Sequence, residues 1–193
     1  MTLRQAVALV LVAAAVTACK RKEPPADAPT PTASSGGDAA ARARADSIAA
    51  AERARREAEE RARAAGIARV TEALSDIVYF EYDSNELTDE AQEKLRTKAA
   101  ILRSNPGLQM RVDGHADERG STEYNLALSQ RRAETVRDFL AGYGIAATRI
   151  STIPYGEERP RVEGSGESTW AQNRRAEFAV TGGEITVVPP EVR

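Results

Sequence analysis

Asp117 and Arg132 are the two residues whose types and setting point most directly to ligand chemistry. Asp117 belongs to an acidic loop, Gly114-His115-Ala116-Asp117-Glu118-Arg119-Gly120, and Arg132 to a basic segment, Leu128-Ser129-Gln130-Arg131-Arg132-Ala133, fifteen positions further on. A carboxylate and a guanidinium held close can grip a small zwitterion, the first at its ammonium and the second at its carboxylate. The planar guanidinium fork matches a carboxylate bidentately, and charge-assisted bonds are the stronger kind. Asn125, Ser129 and Arg132 recur at i, i+4 and i+7, one face of a helix, where a loop folding back from Asp117 meets them. The plain alternative for the pair is a surface salt bridge, worth about 0–1 kcal/mol.

The same loop offers a second chemistry. Asp113, His115, Asp117 and Glu118 are potential metal ligands, and positions 113, 115 and 117 share one side of a strand if the strand continues that far. This is the alternative of a metal-dependent periplasmic hydrolase using Asp113, His115 and Asp117. Zinc sites recruit His and Cys, and the chain has one of each. His115 reads more simply as a hydrogen-bonded residue at a strand end. No Gly-x-Ser-x-Gly elbow presents a nucleophile. The expectation is a binding protein, not an enzyme, with no metal and no cofactor apart from lipid. Lys and Arg number 27 against 29 Asp and Glu, a formal net charge of −2, which argues against a nucleic-acid partner.

The elements that must position these residues lie between about 70 and 181, the only stretch with a core. Ile77 to Tyr82 reads as a strand, broken by Asp83-Ser84-Asn85. Thr88 caps a helix with Asp89 and Glu90 in its first turn and Ala91, Leu95, Ala99 and Leu102 at helical spacing, stopped by Asn105-Pro106-Gly107. Leu108 to Asp113 alternates as a half-buried strand. After the loop at 114–121 comes a helix from about Glu123 to Ala141. A strand from Arg149 to Tyr155, a polar loop, a helical turn at Trp170 to Arg174 and a strand from Ala176 to Val180 complete the order. The expected fold class is α+β, a two-layer sandwich with a βαβαββ-type mixed sheet and its helices on one face. Residues 182–193 read as a tail.

The N-terminal third has a different character. Ala6 to Val16 is an uninterrupted apolar run after Arg4, shorter than the roughly 20 residues a spanning helix needs and of signal-peptide length. Val16-Thr17-Ala18-Cys19 follows, and this resembles the lipobox of bacterial lipoproteins. The resemblance implies a signal peptide at 1–18 and a lipid on Cys19, the only cysteine; the alternative is an ordinary secreted protein with a stray thiol. Lys20 stands where an Asp retains enteric lipoproteins in the inner membrane, so the outer membrane is expected. Residues 19–40, rich in Pro, Ala, Thr, Ser and Gly, read as a disordered linker. Residues 41–66, rich in Ala, Arg and Glu, read as a solvated helical spacer that ends at Gly66, with Glu52–Arg56, Glu57–Arg61 and Glu59–Arg63 at the favoured i,i+4 spacing. A coiled-coil or partner-binding helix is the alternative, weakened by the lack of apolar heptads.

Phe80-Glu81-Tyr82-Asp83 with Leu87, the loop 114–120, Tyr124-Asn125, Leu128-Ser129, Arg131-Arg132-Ala133, Tyr155-Gly156 and Asn173-Arg174-Arg175-Ala176 together resemble the OmpA-like peptidoglycan-binding domain family over about 76–181. The resemblance implies non-covalent binding of the meso-diaminopimelate of the peptidoglycan stem peptide. Asp117 would take its free ammonium, Arg132 its carboxylate, and Tyr82 and Asp83 would line the pocket. Glu118, beside Asp117, and Asn125, on the helix face of Arg132, complete the candidate ligand-binding set. Glu81, Tyr82 and Ala116 depart from the Asp, Phe and Thr usual in the family. Lipid-anchored relatives tether the outer membrane to the cell wall and work with a periplasmic β-propeller, TolB. A Tol-Pal-type role in envelope integrity and cell division, with a TolB-like partner, is therefore implied for this chain, at the outer membrane facing the periplasm. On this reading Asp117→Ala or Arg132→Ala abolishes binding and leaves the fold intact.

Overall fold

The computed structural model describes residues 35–192. Cys19, the signal peptide expected at 1–18 and most of the expected linker lie outside the described residues. The chain divides into two units, Met1–Asp46 and Ser47–Arg193. Of the first, the described part is the opening of helix α1, which spans Ser35–Ser75. Helix thus begins inside the stretch read as linker. No helix among the described residues is long and apolar enough to cross a membrane.

Within the second unit α1 behaves as a spacer only in part. Residues 51–65 are all exposed, as their composition requires. Glu57 meets Arg61 at 3.8 Å, while Glu59 bonds Arg55 at 2.8 Å. The helix does not end at Gly66 but runs about two and a half turns further, and Val70 and Leu74 join the hydrophobic core. Gly66 is a notch: a Cβ there would sit 2.9 Å from Val188 Cγ2. Glycine inside a helix costs about 1 kcal/mol relative to Ala, and here the cost is offset by the contact it permits.

The sheet has four strands in the order β1–β4–β2–β3. These are β1 (Val78–Tyr79), β2 (Gln109–Gly114), β3 (Ile150–Pro154) and β4 (Arg175–Gly182). β4 enters between β1 and β2, antiparallel to both, and β3 runs parallel to β2. Helices α2 (Asp89–Ser104) and α3 (Thr122–Gly142) cover one face, and α4 (Glu167–Asn173) is a short helix before β4. This is the expected mixed sheet with its helices on one face. Strand alternation sends Met110 and Val112 of β2, Ala176 and Phe178 of β4, Val78 and Ile150 inward to meet Leu95, Ala99 and Leu102 of α2 and Ala133, Val136 and Leu140 of α3. On the other face Asp113 lies opposite Glu177 in register, and each acid is paired along its own strand, with Arg111 at 2.7 Å and Arg175 at 2.7 Å.

Three ties hold the ends of the domain. Thr88 caps α2, its hydroxyl accepting from Ala91 N at 3.2 Å. Lys98 of α2, fully buried, donates to Ala73 O at 2.6 Å and Leu74 O at 2.9 Å, satisfying carbonyls in the last turn of α1. Asn105, at the end of α2, donates to Val187 O and accepts from the backbone of Thr186 and Val187, each at 2.9 Å. Ile185, Val188 and Val192 pack on the core. The segment after β4 is accordingly a packed strap across α1 and α2, not a tail.

Candidate functional site

Gly114 ends β2 at its closest approach to α3: a Cβ there would lie 2.1 Å from Ser129 O. The absence of a side chain lets strand and helix touch, and the loop that leaves Gly114 crosses the start of α3. His115 N donates to Arg175 O at 2.9 Å and Ala116 N to Gly156 O at 2.8 Å. Ser121 caps α3, accepting from Tyr124 N at 3.2 Å. On the opposite side Ser84 N closes a turn to Glu81 O at 3.3 Å. Asp83 sits there at φ 50°, a left-handed conformation that Asp tolerates better than most residues. β1 pairs over only two residues because the chain must turn here, shorter than the strand expected over 77–82.

Between loop, turn and helix lies a cavity of about 110 Å³ lined by Tyr82, Asp83, Asp117, Asn125 and Arg132, together with Arg119, Tyr124 and neighbouring backbone. Five of the six ligand-binding candidates thus converge. Glu118 does not. Its carboxylate accepts from Ser165 Oγ at 2.6 Å and Trp170 Nε1 at 2.9 Å, bracing the loop against α4 away from the cavity. Asn125 donates to Glu157, and the Tyr124 hydroxyl donates to Asp83.

Asp117 is 5 % exposed. Burial pushes its carboxyl pKa up, but the hydrogen bonds from Arg119 and Arg174 outweigh that and hold it below the ordinary carboxylate value. Arg132 is 0 % exposed. Burial pulls its pKa down to about 10, against the pull of Asp117, and it remains charged at neutral pH. The guanidinium donates to Ser84 O at 2.8 Å through Nε, to His115 O at 2.9 Å through Nη1 and to Glu81 O at 3.0 Å through Nη2. Of its five N–H groups, one on each terminal nitrogen is left over for a ligand oxygen. The pair is therefore no surface salt bridge: Asp117 pairs with Arg119 and Arg174, and Arg132 ties loop, turn and helix together. This corrects the expectation that Arg132 can be removed without touching the fold.

Two residues of the site carry no role in the sequence reading. Arg119 donates to Asp117 from Nη2 at 2.6 Å and lies 3.9 Å from the Tyr82 ring. Arg174, buried, reaches Asp117 at 3.4 Å and Glu167 at 2.7 Å. Arg119 stands two positions from Asp117, a spacing at which a loop can fold an arginine back on an acid.

The metal alternative finds no geometry. Both Asp113 oxygens accept from Arg111, Asp117 is held by arginines, and His115 stacks on Tyr155 at 5.4 Å between ring centroids. Burial, helped by Arg175, pulls the His115 pKa down to about 4. Among the described residues no group of three or more His, Cys, Asp or Glu is placed to hold a metal ion.

A mixed four-stranded sheet with helices on one face, carrying a charged cavity where the β2 loop meets α3, defines an α+β domain of the OmpA-like class. The chain belongs to the OmpA family, whose profile matches residues 79–174. It is 44 % identical over 109 residues to the peptidoglycan-associated lipoprotein of Brucella melitensis, a match covering 56 % of this chain and 65 % of that protein. It is 45 % identical over 102 residues to the protein of the same name from Haemophilus influenzae, covering 53 % of this chain and 67 % of that one. The crystal structure of the peptidoglycan-associated lipoprotein from Burkholderia pseudomallei superposes with a TM-score of 0.53 at 41 % identity, over 54 % of this chain and 89 % of that chain.

Proposed function

We propose that this protein binds peptidoglycan non-covalently, through the free ammonium and carboxylate of meso-diaminopimelate in the stem peptide, and acts as a binding module without catalysis. The observation that carries this reading is the placing of Asp117 and Arg132, both buried, on one small cavity. The cavity suits an amino-acid head group, with Asp117 toward the ammonium and the two spare N–H groups of Arg132 toward the carboxylate. The names of the lipoprotein relatives support peptidoglycan as the partner.

Asp117→Asn is the direct test. Bonds to a charged partner are worth about 1.5–3 kcal/mol, so co-sedimentation with purified peptidoglycan is expected to weaken ~10-fold or more. Binding by the natural chain should be competed by free meso-diaminopimelate. Undiminished sedimentation of the variant would reject the assignment.

The reading extends to a lipid on Cys19 that anchors the chain in the outer membrane with its domain facing the periplasm, so that one molecule joins membrane and wall. A Tol-Pal-type setting in envelope integrity and cell division, with a TolB-like partner, belongs to the same proposal and is supported by the family resemblance. Cys19→Ser is expected to move the protein from the membrane to the soluble fraction, and a variant that stays with the membrane would count against the lipid anchor.

A further inference from the structure

Asp117 is fully engaged before any ligand arrives. A carboxylate offers about four lone-pair sites. Here Oδ1 accepts from the Arg119 backbone N–H and from Arg119 Nε, both at 3.1 Å, and Oδ2 accepts from Arg119 Nη2 at 2.6 Å and Arg174 Nη1 at 3.4 Å. A ligand ammonium therefore meets an occupied acid with guanidinium groups on several sides. One of these has to give way, and they are not equally held. Arg132 is fixed to three carbonyls, and Arg174 is buried and tied to Phe80 O at 3.1 Å and Glu167 at 2.7 Å. The Arg119 side chain sits at the rim, 26 % exposed. It also has other places to rest: its guanidinium lies 3.9 Å from the Tyr82 ring and 4.2 Å from the Trp170 ring, and Glu167 is already within 3.5 Å.

We propose that Arg119 is a specificity-determining gate, its guanidinium occupying the position at Asp117 that the ligand ammonium takes, so that a ligand enters by displacing it toward Glu167. This rests on the diaminopimelate reading. The displacement exchanges one cation for another and keeps the buried carboxylate paired throughout. A ligand without an ammonium gains nothing at Asp117, because moving the Arg119 guanidinium aside strips the acid of two donors, Nε and Nη2, and returns none. A ligand without a carboxylate gains nothing at Arg132. The resident arginine thus turns the site into a filter that rejects head groups bearing only one of the two charges, specificity obtained by a competitor built into the site.

The test compares the full chain with Arg119→Met, which removes the charge and keeps an unbranched side chain against Tyr82 and Trp170. The probes are a stem tripeptide ending in meso-diaminopimelate and the same peptide with its free amine replaced by hydrogen. If the natural arginine leaves the acid accessible about a tenth of the time, removing it is expected to tighten binding of the first peptide up to ~10-fold. Binding of the second should tighten at least as much, because in the variant it no longer has to strip Asp117 of the Arg119 guanidinium in order to enter. Arg119→Gln, uncharged but still a donor, should shift the first peptide in the same direction. Variants that fold by circular dichroism yet bind the diaminopimelate peptide no tighter than the natural chain would overturn the gate and leave the diaminopimelate reading standing. A natural chain that binds neither peptide would overturn both.

Discussion

Arg132→Ala is expected to destabilise the domain by about 3–5 kcal/mol, well beyond the loss of a ligand contact. The guanidinium is the shared donor for Ser84 O, His115 O and Glu81 O, three carbonyls on two separate loops. Leaving a buried polar group without a partner costs about 1–3 kcal/mol, and alanine leaves a gap between the two loops that neither can fill. Arg132→Lys should fall between the two, since an ammonium lacks the planar fork that reaches all three acceptors. Urea unfolding followed by circular dichroism reads the effect. A midpoint unchanged in Arg132→Ala would show that these bonds are not what holds loop and turn in place. The consequence for function is that loss of wall binding in this variant cannot be attributed to the ligand contact alone. Asp117→Asn touches none of these carbonyls, but it takes the charge from the Arg119 and Arg174 pairs, so its loss of binding is read beside its own urea midpoint.

Gly114→Ala is expected to be at least as damaging. The new methyl would lie 2.1 Å from Ser129 O and 2.9 Å from Ser129 C, both backbone atoms of α3. No rotamer change relieves such a contact; the helix itself has to retreat from β2. Overpacking a core costs about 1–3 kcal/mol when side chains can adjust, and a clash against main chain belongs with the exceptional losses beyond about 4 kcal/mol. Ser129 stands one turn before Arg132, so the same retreat withdraws Arg132 from its carbonyls. Gly142→Ala, at the end of the same helix with open space around it, should instead be neutral or gain roughly 0.5–1 kcal/mol. Thermal melts of the two variants, run side by side, check the contrast. Similar melting temperatures would mean that the approach of strand to helix is not as tight as it stands here.

Much of this architecture was legible because it rests on local rules. The cap at Thr88, the stop at Asn105, the alternation along 108–113 and the helix from about Glu123 to Ala141 follow from spacing and capping chemistry, and the structure agrees to within a residue or two. The errors share a cause. Gly66 reads as a helix stop because glycine is locally unfavourable there; what keeps the helix going is packing, including Val188, 122 positions away. The segment after β4 reads as a tail because it is short and proline-bearing. Ile185, Val188 and Val192 were the available signal that it packs. At the site, the sequence points to an acid and a guanidinium near one another, and both line the cavity. It cannot show how many donors of Arg132 are already taken by carbonyls, nor that Glu118 turns away while its neighbour Arg119 turns in. Those depend on side-chain direction in an irregular loop, where no periodicity guides the reading.

If the chain joins membrane and wall as proposed, the join between α1 and the sheet has a mechanical consequence. From Ser47 to Ser75 the helix runs about 43 Å at 1.5 Å per residue, and its last turns are clasped by Lys98 and sunk among core side chains. Tension pulling along the helix is borne there first, by burial and by two bonds from one lysine nitrogen. It reaches the two-residue pairing of β1 with β4 only after that anchorage yields, so the weakest strand of the sheet is shielded from the load.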